Sequence, residues 1–381
     1  MDASIRTCDV LVVGAGPAGA ACALALARRG VQVLLLDAAS GRKPSPGESL
    51  HGVAASSLAE LRLWPSFLQQ RFQRSYLAEI AWESEELRER RAIDQVWGPE
   101  YHLERCAFDA WLVAEAVRGG AERVRCSALE SATFDPEAAR FRCAVSSELG
   151  ITAIVSHSLV DATGRSAAVI RRLGGRIVTD SDRLIAVSRT YLEPFPQRSV
   201  LIETADNGWW YSAPLPGNRR LAIWFTDAGL ARGHASRPEY FDASLQASIH
   251  TRARFAGSRP DARLSVCPAG PSLTLFDPTL PALPVGDAAA AFDPISGDGL
   301  CFALRSALDA AETIVQHRAG RRDALGAYAA GVDAVFARHV TRRAKLYKEV
   351  VRFGDAPFWS RARVAERDLA RHGVERLNVM D

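Results

Sequence analysis

The first stretch of regular pattern in the chain is an unbroken apolar run, Val10-Leu11-Val12-Val13. A second run, Val33-Leu34-Leu35-Leu36, follows twenty residues later. Continuous rather than alternating apolar strands are those covered by helices on both faces, as in a parallel sheet. Between the runs lie a glycine turn at 14–19 and an Ala/Leu-rich stretch at 20–30, which reads as a helix. Further along, the pattern predicts a loop at 38–48, a helix at 53–63 and a strand at 75–82. A solvated charge run occupies 83–91, and a helix runs from Arg105 to about Arg118. Residues 122–161 alternate as three strands. Residues 183–227 are the clearest β region, with a hairpin turn at 216–219. There, Leu221, Ile223 and Phe225 fall on one face, and Ala222, Trp224 and Thr226 on the other. Both faces are apolar enough to be covered, one by core and one by core or a ligand cavity. A short strand at 281–287 and a helix to about His317 follow. Residues 322–381 read as helical and arginine-rich.

The glycine turn changes this picture from architecture to chemistry. Gly14, Gly16 and Gly19 form a GxGxxG with Pro17 and Ala18 inside it, set between a strand and a helix. In such a turn Gly14 permits the tight bend, and Gly16 lets backbone approach a pyrophosphate at the helix N-terminus. Gly19 lets helix and strand pack closely. Asp37 ends the second apolar run, where a carboxylate accepts hydrogen bonds from a ribose. An acid there fits FAD or NAD rather than NADP.

Composition narrows the classes. The 381 residues are enough for two domains, or for one α/β body with an inserted sheet, and 48% of them are apolar. A net charge of +3 gives no argument for nucleic acid. Seven cysteines without a CxxC pair point to a reducing cytoplasm and away from zinc, and no metal site is expected. No run of 18 apolar residues is present to span a membrane. The N-terminus leads straight into the nucleotide strand, so no signal peptide is expected. Only Lys43, Lys345 and Lys348 are lysines.

Three further motifs follow the first in order: Arg105-x-x-Phe108-Asp109-x-x-Leu112, then Asp161-Ala162-Thr163-Gly164, then Gly286-Asp287 with Asp293-Pro294 and Gly297-x-Gly299-Leu300. Together they resemble the FAD-dependent aromatic hydroxylases and flavin-dependent halogenases, over nearly the whole chain. The resemblance implies an α/β fold: a Rossmann-type FAD-binding domain with an inserted β-sheet substrate domain and a C-terminal helical segment. Its expected boundaries are FAD-binding parts at 1–75, 96–182 and 276–320, substrate-domain strands at 76–95, the substrate sheet at 183–275 and the helical region at 321–381. It also implies that Arg105 approaches the ribityl-phosphate part and that Asp161 and Gly164 belong to a second nucleotide motif. Gly286 and Asp287 would bind the ribityl chain, and Pro294, Gly297, Asp298, Gly299 and Leu300 would lie by the isoalloxazine. A helix starting there would stabilise the anionic reduced ring.

Within the group, Gly208-Trp209-Trp210-Tyr211-x-Ala213-Pro214 stands where halogenases carry Trp-x-Trp-x-Ile-Pro, without the second Trp or the Ile. A halogenase also needs a lysine to capture hypohalous acid, and none occurs from 44 to 344. The Trp-Trp-Tyr-x-Ala-Pro version, with Pro357-Phe358-Trp359, is more similar to flavoproteins that mature tryptophylquinone cofactors. That resemblance implies a monooxygenase acting through a flavin C4a-hydroperoxide on a tryptophan of a protein or peptide partner. Its co-substrates would be O₂ and electrons from NAD(P)H or a flavin reductase. Trp209, Trp210, Tyr211 and Trp224 are the expected substrate wall. Glu48, His51 and Asp298 are the candidate catalytic side chains, with a structural role the alternative for His51. Arginines 171, 172, 176, 189, 219 and 220 are candidates for a mouth that docks an acidic partner. The competing readings are a small-molecule aromatic hydroxylase, a flavin halogenase, a double-bond reductase and a non-catalytic FAD-binding maturation chaperone.

Overall fold

The computed structural model describes residues 5–38, 48–125, 127–147, 150–179, 183–194 and 197–361, with only the backbone of Glu48. Arg6–Val13 is the central strand of a seven-stranded sheet. It pairs in parallel with Val33–Asp37 on one side and Gly150–Asp161 on the other. Glu122–Arg125 extends the parallel edge beyond Val33–Asp37. Arg140–Ser147 and Ala128–Asp135 continue the other side as an antiparallel meander, and Ala282–Pro284 pairs with the end of Gly150–Asp161. The region 122–161 thus holds four strands rather than three. The extra one is Glu122–Arg125, a half-exposed edge whose charged sequence hides its period.

Helix Pro17–Ala27 is buried along almost its whole length, which explains why its sequence shows no polar face. It packs against Arg105–Arg118 and Gly299–Arg318. Gly119 and Gly286 serve this packing: a Cβ at Gly119 would lie 2.4 Å from Leu24, and one at Gly286 would lie 2.8 Å from Ala18.

The second large sheet has eight strands, among them Leu184–Leu192, Arg219–Asp227, Gly208–Leu215, Val200–Ala205, Leu77–Ala81 and Arg88–Arg91. Its hairpin is closed by three residues, Pro216 to Asn218, between the register partners Leu215 and Arg219, and two of them, Gly217 and Asn218, have positive φ (76° and 54°). Part of the charge run at 83–91 is the edge strand Arg88–Arg91, exposed throughout. An all-charged edge suits a strand that must not pair with another chain.

One face of this sheet is covered by Pro238–Ala247, with Trp210, Ala222 and Trp224 packed on Phe241 and Leu245. The other face meets the C-terminal part, where Trp82, Trp209 and Phe225 pack with Tyr347, Phe358 and Trp359. The C-terminal region is one long helix, Ala324–Glu349, then turns and a helical turn at 357–361. Its expected continuation over 362–381 lies outside the described residues, as does Lys43.

Candidate functional site

A cavity of about 1050 Å³ opens where the C-terminal ends of the parallel strands face the second sheet. Ligands of open α/β sheets bind outside those strand ends. The three glycines of the first turn divide their tasks as their spacing predicts. Gly14 has φ +106°, and a Cβ there would lie 2.3 Å from the Ala162 carbonyl oxygen. A Cβ on Gly19 would lie 1.8 Å from the Gly14 oxygen. Gly16 alone has no protein atom within 4 Å of such a Cβ, so its face is open to the cavity. Pro17 and Ala18 line the same wall. Backbone bare of side chains at the N-terminus of a buried helix is what a pyrophosphate requires, so the cradle fits a dinucleotide.

The later motifs converge on this cavity with one exception. Gly164, Gly286 and Asp287 line it, and the Asp287 carboxylate lies 3.6 Å from Arg165. Arg105 also lines it, with Asp109 one helical turn away at 3.2 Å. Pro294, Gly297, Asp298, Gly299 and Leu300 form the wall at the start of helix Gly299–Arg318, whose first N–H groups have no intrahelical partner. Asp298 is bridged at 3.2 Å by Arg342. Asp37 is buried just beside the wall residues Leu36 and Ala38, and Arg123 donates to its carboxylate. The exception is Asp161. Its fully buried carboxylate accepts from the backbone N–H groups of Thr163, Val169 and Ile170 and from the Thr163 hydroxyl. It shapes the turn that carries Thr163 and Gly164 and does not itself line the cavity.

His51 lies against the loop from Pro294 to Gly297. A Cβ on Gly297, which has φ +65°, would come within 2.1 Å of His51 Nε2. The glycine therefore serves both a left-handed backbone and the imidazole. His51 Nδ1 is 3.8 Å from Glu100, which also accepts from Arg90 at 3.0 Å. The backbone of Glu48 pairs with Leu103; its side chain is outside the described set.

Of the four expected wall aromatics, the structure brings only Trp209 and Tyr211 to the cavity, with Ile223 and Phe225 beside them. Trp210 and Trp224 point to the opposite face and stack on each other at 5.9 Å beneath Phe241. Strand alternation gives the reason: neighbours in sequence take opposite faces. Two of the arginines expected at a docking mouth are also elsewhere. Arg220 is fully buried with Glu193, and Arg189 is buried with Asp242.

Two networks at this site join residues far apart in sequence. Tyr211 Oη, Ser49 Oγ and His102 Nδ1 form a chain with separations of 2.8 and 3.0 Å. At the start of the loop from Pro294 to Gly297, buried Asp293 accepts from Arg343 Nε at 2.7 Å and from the Tyr347 hydroxyl at 2.9 Å, and Trp209 Nε1 donates to Tyr347 at 3.1 Å. His339 Nε2 accepts the Asp293 N–H, and its ring stacks on Phe292 at 4.6 Å.

Burial lowers His102 and His339 from 6.5 to about 4. Between those values the unfolded chain binds protons that the folded chain does not. Stability therefore falls as pH drops from 6.5 towards 4, by up to about 1.4 kcal/mol per pH unit for each ring, and each ring's slope fades as pH rises past 6.5. Urea melts at a series of pH values are expected to show a shallower acid slope in His339→Gln than in the parent. An unchanged slope would place the acid sensitivity elsewhere.

Comparison with known proteins agrees with this geometry. The model of the family described as FAD binding domain matches residues 7–343. The chain is 29% identical to LodB of Marinomonas mediterranea, named as a FAD-dependent oxidoreductase, over 93% of this chain and 96% of that protein. Its fold superposes on the myxobacterial chondrochloren halogenase CndH with a TM-score of 0.85 at 20% identity, covering 98% of this chain and 90% of the other. It superposes on the peptidyl tryptophan dihydroxylase QhpG with a TM-score of 0.73 at 23% identity, covering 94% and 79%. With the glycine cradle, the loop from Pro294 to Gly297 and the helix N-terminus converging on one cavity, the chain belongs to the FAD binding domain family, and it is a FAD-dependent oxidoreductase.

Proposed function

We propose that this protein is a monooxygenase that hydroxylates an electron-rich aromatic ring, a tryptophan side chain carried by a protein or peptide partner, on the way to a tryptophylquinone cofactor. FAD, when bound and reduced by NAD(P)H or a flavin reductase, supplies the activation of dioxygen. In this reading Gly14, Gly16 and Gly19 cradle the pyrophosphate and Asp37 serves the adenosine end. Arg105 and Asp287 serve the ribityl chain, and the loop from Gly297 to Leu300 faces the isoalloxazine. His51 and Asp298 stand at that loop as candidates for handling protons.

The observation that carries the reading is the apolar, aromatic wall of the cavity. Trp209, Tyr211, Ile223 and Phe225 give an indole apolar and aromatic surface. Four of the five arginines that line the cavity among the described residues have carboxylate partners: Arg90 with Glu100, Arg342 with Asp298, Arg105 with Asp109 and Arg165 with Asp287; the fifth, Arg172, donates to the Ala168 carbonyl. A free amino acid would bring a carboxylate and an ammonium that need buried partners of their own. A ring within a polypeptide brings neither. No lysine lines the cavity among the described residues, which supports oxygen transfer over halogenation. The fold likeness to a peptidyl tryptophan dihydroxylase motivates tryptophan as the first ring to try.

The test is a competition. Reduced holoenzyme with dioxygen and bromide is offered free tryptophan and a tryptophan-containing partner subunit, and both are weighed by mass spectrometry. Oxygenated partner with no brominated product is the expected outcome. Efficient oxygenation of free tryptophan alone would reject the protein substrate. Brominated tryptophan would reject the monooxygenase reading, and NAD(P)H oxidation that proceeds without dioxygen would favour a reductase.

A further inference from the structure

Large apolar side chains left in water singly are ordinary on a protein surface, whereas a group of them marks a place that something covers. Ile93, Val96 and Trp97 are 90%, 93% and 60% exposed, and nowhere else among the described residues do three such side chains fall within five positions. They share one short turn. The 3₁₀ turn Ala92–Asp94 follows the charged edge strand Arg88–Arg91, and the Gly98 N–H then closes on the Gln95 carbonyl at 3.2 Å. Tyr76, itself well exposed, stands at the base, where its carbonyl accepts from the Ala92 N–H at 2.9 Å.

The turn sits on the rim of the cavity. Arg90 and Glu100, on either side of it, line the cavity, and so does Gln95 within it, which is also exposed. A Cβ on Gly52, next to the cavity residue His51, would lie 2.2 Å from the Trp97 carbonyl oxygen, so the turn is seated on the backbone beside the site. A small ligand inside the cavity does not cover side chains that stand in water. A polypeptide does: with its ring in the cavity, the chain around that ring must lie on the rim.

Charge says which occupant fits. Residues 83–100 hold six acids, Glu83, Glu85, Glu86, Glu89, Asp94 and Glu100, against three arginines, a net −3. Each arginine meets a carboxylate of the same segment: Arg88 with Glu83 at 3.2 Å, Arg90 with Glu100 at 3.0 Å and Arg91 with Glu89 at 2.6 Å. Apolar segments that enter an anionic lipid surface carry an excess of lysine or arginine, the opposite sign. A second copy of this patch would meet like charge.

We propose that the turn 92–97, with Tyr76, is a docking surface for the polypeptide that carries the aromatic ring, and that the segment it takes is apolar next to the ring and basic beyond. The proposal rests on the reading that the cavity holds such a ring.

The test measures binding to FAD-loaded protein by calorimetry with three probes: N-acetyl-tryptophanamide, the peptide Lys-Lys-Leu-Trp-Leu-Lys-Lys, and its Glu-Glu-Leu-Trp-Leu-Glu-Glu counterpart. The variant is Ile93→Ser/Val96→Ser/Trp97→Ser, at three exposed positions where fold and FAD content are expected to hold. In the parent the basic peptide is expected to bind at least about tenfold tighter than the amide or the acidic peptide. The variant is expected to lose about tenfold or more for the basic peptide and to keep the amide within about twofold. An unchanged peptide affinity, equal losses for peptide and amide, or an acidic peptide bound as tightly as the basic one would overturn the proposal. Phosphatidylserine vesicles that bind the parent and not the variant would assign the turn to a lipid surface, and a dimer lost in the variant would assign it to a second copy; either would also overturn it. If the amide fails to bind the parent while the basic peptide still depends on the three side chains, the aromatic-cavity reading falls and the docking surface stands.

Discussion

Gly16→Ala is expected to leave the apoprotein as stable as the parent and to weaken FAD binding by about a hundredfold, whereas Gly19→Ala is expected to cost the fold as well. The two positions are three residues apart in one turn, yet a methyl group meets opposite surroundings. At Gly16 it touches no protein atom within 4 Å, and the backbone at φ −74° and ψ −174° accepts any residue. Its cost falls on the ligand, because the methyl occupies the approach path to the pyrophosphate. About 3 kcal/mol, the upper range for a lost charge-assisted hydrogen bond, corresponds to that hundredfold. At Gly19 the methyl would sit 1.8 Å from the Gly14 oxygen and 2.9 Å from Ala162. Neither neighbour is the tip of a flexible side chain. Strand and helix must part, at the upper end of the 1–3 kcal/mol usual for overpacking or beyond it. Thermal melts of the apoproteins and FAD titrations separate the two effects. Equal melting losses in both variants would contradict the division of roles.

Asp293→Ala carries the largest expected loss of stability from a single side chain. Asp293 and Arg343 are 0% and 1% exposed and 2.7 Å apart. Removing one member of such a pair leaves the other charge buried, at a cost of about 3–5 kcal/mol. The same deletion at Glu60, which meets Arg305 at 2.7 Å with both side chains about half exposed, is expected to cost less than about 1 kcal/mol. Asp293 also begins the turn Pro294–Ser296 that leads into Gly297, so FAD affinity is expected to fall together with stability in Asp293→Ala and to hold in Glu60→Ala. Urea denaturation and flavin titration of both variants check this. Comparable losses at the two sites would mean that the Asp293 network is not tightly desolvated.

The parts of the site legible in the sequence are those made by neighbours along the chain. The glycine fingerprint needs only local spacing, and the cavity wall from Pro294 to Leu300 is a single loop and helix start. Asp161 was legible as a strand-end acid, but an acid in that place can face a ligand or cap its own turn, and only the positions of Val169 and Ile170 decide between them. The aromatic sheet shows the limit of periodicity. Alternation separates Trp209 and Tyr211 from Trp210, but it does not say which face meets the cavity. That depends on the helix Pro238–Ala247 covering one side. The two networks were beyond reach because their members are brought together only by the fold: Ser49 and His102 are 53 positions apart, and Asp293 and Tyr347 are 54. The one signal that could have pointed to Arg343 and His339 is the presence of chargeable residues on the apolar side of a long amphipathic helix.

The central claim, that this cavity uses FAD to place oxygen on an aromatic ring held in a polypeptide, is tested most directly by following the oxygen itself. The holoenzyme is reduced anaerobically, mixed once with isotopically heavy dioxygen and a tryptophan-containing partner subunit, and the partner is digested and mapped by mass. The account predicts one heavy oxygen atom on a tryptophan ring for each oxygenation event, with none when the flavin is left oxidised. Oxygen drawn from water, or flavin reoxidation with every tryptophan left unmodified, would contradict it.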